Sequence, residues 1–169
     1  MYLTKDISRS ILTNIIGTSN IVRACKEKNI KLIYFSTNYV YPGKKGNYSE
    51  SDPVLPINNY AWSKLGGECA AQMLKNSLIL RICMTEKPFL YKFAYTNLRT
   101  NFMFHEDLAK VFFKLINKKG IINIFFNKPG IFINWNFHSR CILILFIFRC
   151  VNKIRNKFFT NITIIKNSC

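Results

Sequence analysis

Ile30-Lys31-Leu32-Ile33-Tyr34-Phe35-Ser36-Thr37-Asn38 is the stretch on which the fold turns. Its first six residues are short, apolar and rich in β-formers, which predicts a buried parallel strand. The hydroxyls of Ser36 and Thr37 then emerge at the carboxyl end of that strand, where open α/β sheets place their ligands. Upstream, residues 6–28 predict a helix, with Ile7, Ile11, Ile15, Val22 and Cys25 as its apolar stripe. Downstream come a long loop, a second helix opening near Asn58 and Asn59, and a second strand at Leu78-Ile79-Leu80-Arg81-Ile82. Asn is a good N-cap, and Leu65, Cys69 and Met73 follow at helical spacing. Helix, strand, helix, strand in alternation argues for a parallel sheet with crossover helices.

The second helix carries Tyr60 and Lys64 in Asn59-Tyr60-Ala61-Trp62-Ser63-Lys64-Leu65-Gly66-Gly67-Glu68. Residues four apart on a helix share a face, so a phenol and an ammonium become neighbours. An unperturbed tyrosine, with a pKa of about 10, relays protons poorly near neutrality. A fixed positive charge favours the phenolate and tunes the group for proton exchange with an alcohol or ketone oxygen. The spacing alone says little. With 8 tyrosines and 18 lysines in 169 residues, about one Tyr-x-x-x-Lys is expected by chance. A second occurs at Tyr41-Pro42-Gly43-Lys44-Lys45, where Pro42 and Gly43 predict a turn.

Four motifs in one order carry a resemblance. Asn14-Ile15-Ile16-Gly17-Thr18-Ser19-Asn20 is similar to the Asn-x-x-Gly-Thr-x-Asn helix of the extended short-chain dehydrogenases/reductases. Ser36-Thr37-Asn38-Tyr39-Val40-Tyr41-Pro42-Gly43 resembles their active-site strand end. Residues 50–60 resemble the lead-in to the catalytic tyrosine, and Ser63-Lys64-Leu65-Gly66-Gly67-Glu68 completes that motif. Within the family the sugar-nucleotide branch, near the dTDP-4-dehydrorhamnose reductases, is the nearest in pattern. The resemblance spans residues 1–124. It implies NADPH or NADH as cofactor and hydride transfer to a keto-sugar nucleotide. Tyr60 would donate the proton, and Lys64 would hold the nicotinamide ribose and favour the Tyr60 phenolate. Thr37 would hydrogen-bond the substrate oxygen, and Asn14 would position the helix and a water-linked proton path. The resemblance also places Ser36, Tyr60 and Lys64 at the cofactor, and Thr37, Asn38 and Tyr39 at the sugar. It further implies a homodimer through the helices bearing Asn14 and Tyr60. Two other readings stay open: an epimerase or dehydratase on the same scaffold, and a non-catalytic remnant.

Enzymes of this kind open with a strand, a glycine-rich turn and a helix that holds the pyrophosphate. The glycines here are Gly17, Gly43, Gly46, Gly66, Gly67, Gly120 and Gly130, and no Gly-x-Gly-x-x-Gly or Gly-x-x-Gly-x-x-Gly is formed. The expected fold is therefore α/β, a partial Rossmann-like parallel sheet lacking its N-terminal βα units, with a remnant C-terminal substrate lobe between Cys83 and Asn123. Such a chain would be inactive alone. Residues 105–116 predict a helix with acids in its first turn, and Gly120-Ile121-Ile122-Asn123-Ile124 predicts a strand. Residues 125–169 depart from the family pattern and read as a divergent basic tail, disordered or out of frame.

The formal net charge is +17, and every acid lies before residue 108. Lys, Asn, Ile and Phe, all with A- and T-rich codons, are abundant, so coding bias suffices for much of the charge. No nucleic-acid-binding module is visible. Six cysteines without a Cys-x-x-Cys, beside two histidines, argue against a zinc site. Cys25 and Cys69 read as small core residues. The apolar run Cys141–Phe148 is too short to span a bilayer, and no signal peptide is seen, so a cytoplasmic protein without a membrane partner is expected.

Overall fold

The computed structural model describes residues 6–86 and 102–124. Helix α1 covers residues 7–27 in three sections: Ile7–Ser10, a π-helical Ile11–Ile16, and Gly17–Glu27. Strand β1 (Leu32–Ser36) is followed by a 3₁₀ turn at Asn38–Val40. Helix α2 is Asn59–Gln72 and strand β2 is Ser77–Arg81. Short strands β3 (Cys83–Thr85) and β4 (Phe102–Phe104) precede helix α3 (His105–Leu115) and strand β5 (Gly120–Asn123).

The main sheet is parallel in the order β1-β2-β5, with Phe35 opposite Leu80 and Leu80 opposite Ile122. Its central strand β2 is buried along its whole length, Leu78-Ile79-Leu80 as an apolar run and Ser77 and Arg81 as buried polar ends. Strand periodicity splits the core into two. Leu78 and Leu80 face α3 with Met103, Leu108 and Ile124, while Ile33 and Phe35 pack beside them. Ile79 faces the other way, with Leu32, Tyr34, Ala71 and Leu74, against Val22 and Cys25 of α1. Burying each such large apolar side chain contributes about 1.5–3 kcal/mol. Strands β3 and β4 pair in parallel as a second, two-stranded sheet. Of the expected substrate lobe, α3 and β5 join the main body; the proposed tail lies outside the described residues.

Two expectations about the helices are corrected. The Leu65, Cys69 and Met73 stripe of α2 is not its core face: Met73 is 84% exposed and Cys69 is exposed. The buried face is instead Tyr60, Ser63, Lys64, Gly67, Glu68 and Ala71. In α1, Ser10, Asn14 and Thr18 are buried while Ile7 and Ile11 are exposed; Val22 and Cys25 alone of the expected stripe reach the core cluster. The reason is the close approach of α1 to α2. A Cβ on Gly67 would lie against the Asn14 carbonyl oxygen and 2.6 Å from the Tyr34 hydroxyl. Only small and hydrogen-bonding groups fit such a contact. Gly120 opens β5, as expected, at φ +81°, and α3 ends at Leu115.

Candidate active site

The carboxyl end of β1, the 3₁₀ turn and the buried face of α2 converge. Thr37 is buried in extended conformation, and its Oγ1 accepts from the Tyr39 backbone N–H at 3.2 Å. A hydroxyl has one donor besides its acceptor lone pairs, so this bond leaves the Thr37 proton available. Tyr39 is half-buried. Asn38 Oδ1 is a buried acceptor without a hydrogen-bond partner among the described residues. Buried acceptors are normally satisfied, so this atom fits a ligand that brings a hydroxyl or N–H.

Helix α2 starts where the Asn58 side chain accepts from Ala61 N–H at 2.8 Å. Tyr60 and Lys64 follow on one face, and both are buried, Lys64 to 3% exposure. The helix is fastened to α1 between them. Asn14 Nδ2 donates to Ser63 Oγ at 2.9 Å, and Ser63 Oγ donates to the Tyr60 carbonyl at 2.8 Å. Asn14 sits in the π-helical section, a local widening common at functional positions. Beneath Lys64 lies Tyr34 of β1. Its hydroxyl donates to the Lys64 carbonyl at 3.0 Å, and the Lys64 Nζ stands 4.2 Å from its ring centroid. Burial pushes the Tyr34 phenol well above its ordinary pKa, the Glu68 carboxylate adds to this, and a Thr18 hydrogen bond opposes it.

A second polar cluster joins the ends of all three main strands. Ser36, expected at the cofactor, gives its proton to Glu68 Oε2 at 2.5 Å. Glu68 is paired with Arg81 at the end of β2, Nη2 to Oε1 2.6 Å, and both are almost wholly buried. Arg81 Nη1 donates to the Tyr41 hydroxyl at 2.6 Å, and that hydroxyl turns toward Asn123 Oδ1 of β5 at 3.0 Å. Asn123 N–H donates to Glu50 Oε1 at 2.7 Å. Burial disfavours the Arg81 charge, but the bonds and charge of Glu68 and Tyr41 outweigh it, so the guanidinium is held above its ordinary value. Sequence reasoning missed Tyr34, Tyr41 and this network. One signal was present: an arginine inside Leu78-Ile79-Leu80-Arg81-Ile82 needs a buried partner.

No cluster of three or more His, Cys, Asp or Glu side chains suited to a metal ion occurs among the described residues. Among them, too, no helix is long and apolar enough to cross a membrane.

A parallel sheet with helices on both faces, and a buried Tyr-x-x-x-Lys pair beside its strand ends, places the chain in the Rossmann-like class of reductases and epimerases. Within that class it belongs to the RmlD substrate binding domain family, whose family model matches residues 5–119. The dTDP-4-dehydrorhamnose reductase of Aggregatibacter actinomycetemcomitans is 32% identical over 96 residues, covering 56% of this chain and 33% of that protein. The human dTDP-D-glucose 4,6-dehydratase is 35% identical over 80 residues, 46% of this chain and 23% of that protein. Among solved structures, a hypothetical dTDP-4-dehydrorhamnose reductase from Sulfolobus tokodaii superposes with a TM-score of 0.68 at 27% identity, covering 93% of this chain and 56% of that one. The Bacillus anthracis dTDP-4-dehydrorhamnose reductase, in complex with NADP, gives 0.66 at 25% identity, over 73% and 51%. The chain thus spans about a third of the length of the Aggregatibacter relative and about half of these two solved neighbours.

Proposed function

We propose that this chain is the part of an NAD(P)-dependent keto-sugar-nucleotide reductase that carries the proton-transfer residues. The observation that carries the reading is the burial of Tyr60 and Lys64 on one face of α2, fastened to α1 through Asn14 and Ser63. NADPH or NADH, when bound, supplies the hydride. Tyr60 gives its proton to the substrate carbonyl oxygen. Lys64 holds the nicotinamide ribose, and its charge favours the phenolate that Tyr60 becomes. Thr37 donates its free proton to the same oxygen and polarises the carbonyl. Asn38 and Tyr39 flank the sugar, with Asn38 Oδ1 as an acceptor for a sugar hydroxyl. Asn14 positions α2. The same residues would serve an epimerase or dehydratase, and the match to the RmlD substrate binding domain favours the reductase.

The described residues include no glycine-rich strand–turn–helix to hold the pyrophosphate. A single charge-assisted contact from Lys64 contributes about 1.5–3 kcal/mol, short of the roughly 8 kcal/mol that micromolar affinity needs. The 169-residue chain should therefore bind NADPH weakly by titration calorimetry. The test of the chemistry is Tyr60→Phe in a form of the protein that carries such a loop, assayed by NADPH oxidation with dTDP-4-dehydrorhamnose. Loss of the acid should lower the rate by about 10² to 10⁴. Full activity in that variant would refute the assignment.

The outward faces of α1 and α2 support a homodimer through these helices. Ile7, Leu12, Ile16, Trp62 and Met73 are all exposed there, an apolar surface of the kind that marks interaction sites. Light scattering should give twice the mass of the chain, and Trp62→Glu with Leu12→Glu should return the monomer.

A further inference from the structure

We propose that Tyr34 is a positioning residue for Lys64: its ring face seats the ammonium and its hydroxyl fixes the helix backbone from which that ammonium springs. The inference rests on the role given to Lys64 above. A buried ammonium must be compensated, and a lysine side chain has much rotamer freedom to lose before it keeps one place. Tyr34 answers both needs. Its hydroxyl donates to the Lys64 carbonyl at 3.0 Å, so ring and backbone are locked together. The ring then lies 4.2 Å below Nζ. The absence of a side chain at Gly67 leaves the room this hydroxyl occupies, since a Cβ there would stand 2.6 Å from it. An aromatic face attracts the cation without offering a base that could take its proton. The carboxylate of the same helix, Glu68, is held by Arg81 and Ser36. The ring thus holds the Lys64 ammonium on the face it shares with Tyr60.

The test uses the 169-residue chain, labelled with ¹³C at the lysine ε-carbons, the Lys64 signal being assigned by its loss in Lys64→Arg. Nuclei above an aromatic face resonate upfield, so the Lys64 ε-protons should lie upfield of the other lysines and show cross-relaxation to the Tyr34 ring. Tyr34→Phe keeps the ring but loses the bond to the Lys64 carbonyl, so the upfield signal should persist at a reduced displacement. Tyr34→Leu should abolish it and raise the acid ionisation constant of Lys64 about tenfold, the loss expected for a desolvated cation–π contact. Tyr34 that served only as core filling would leave the Lys64 ionisation constant unmoved in Tyr34→Leu, and that would overturn the proposal. Should Tyr34→Leu not fold, the parent and Tyr34→Phe decide: an unshifted Lys64 signal in either, or no cross-relaxation in the parent, refutes it. These measurements need no cofactor or substrate, so their failure is separate from failure of the reductase reading, which Tyr60→Phe tests.

Discussion

Tyr41 and Lys45 are separated by the same interval as Tyr60 and Lys64, yet the two pairs have opposite fates. The first lies in a turn where Gly43 and Gly46 take φ values of +73° and +70°. Its tyrosine goes inward, stacked on Tyr48 at 4.7 Å and under the Arg81 guanidinium at 5.0 Å. Its lysine goes outward, 61% exposed, to an ion pair with Asp52 at 2.9 Å. In α2 both members are buried, and the lysine rests on a tyrosine from another element, Tyr34 of β1. The interval between two residues fixes no chemistry. The backbone between them does, because a helix returns to the same face every four residues and a glycine turn does not.

The largest expected contrast lies where the two regions meet, at the buried Glu68–Arg81 pair. Glu68→Ala leaves the Arg81 charge uncompensated and should cost about 3–5 kcal/mol in urea denaturation. Asp52→Ala removes the partner of exposed Lys45 and should leave the midpoint almost unchanged. Equal losses in the two variants would show that the helix region is not the more tightly specified.

Glycine substitutions sharpen the same contrast. Gly67→Ala forces a Cβ against the Asn14 carbonyl and Tyr34 hydroxyl, and should cost about 1–3 kcal/mol as overpacking does, with α1 displaced. Gly43→Ala meets nothing within 4 Å. Only its left-handed backbone is strained, at about 1–2 kcal/mol. Denaturation will rank them, and a shift in the Asn14 side-chain amide resonance should accompany Gly67→Ala alone.

Alkaline titration separates the tyrosines further. The folded pKa of Tyr34 is raised, so the neutral phenol is the form the fold favours. Its contribution is complete below the unfolded value of about 10 and is lost as pH rises beyond it, by about 1.4 kcal/mol per pH unit. The stability gap between the parent chain and Tyr34→Phe should therefore narrow above about pH 10. A gap that stays constant to higher pH would contradict the burial of that phenol.

The smallest effect belongs to the loop in acid. The Lys45 hydrogen bond, with the Ser49 backbone N–H, holds Asp52 below its ordinary pKa. A depressed carboxylate contributes stability above its unfolded value and loses it as pH falls through the folded one. Below about pH 4 the Tyr48 ring environment should begin to change while the α2 region stays intact, as tyrosine fluorescence or NMR would show.

The helices, the two long strands, the cap at Asn58 and the Tyr60–Lys64 pair were legible because they rest on local rules: period, capping and turn residues. The faces of α1 and α2 were not. Leu65, Cys69 and Met73 form an apolar stripe by spacing, yet they are not buried, because the helix is drawn by its neighbour and not by its own pattern. Where two helices come within hydrogen-bonding reach, glycine, serine, asparagine and threonine fill the contact and the apolar residues are turned out. The signal for this was the pair Gly66-Gly67 inside a helix, where glycine costs about 1 kcal/mol against alanine and so implies a packing reason.

By itself the sequence determined the three helices and the strands of the main sheet, that this sheet is parallel, and that a phenol and an ammonium share a helix face; the short strands β3 and β4 were not legible. Only the tertiary structure decided that Lys64 lies over Tyr34, that Glu68 is matched with Arg81, and that Tyr41 joins the ends of β2 and β5. Periodicity is a property of neighbours along the chain. A buried charge is matched across it, as Arg81 is by Glu68 and Tyr41, 13 and 40 residues away, and nothing local specifies them.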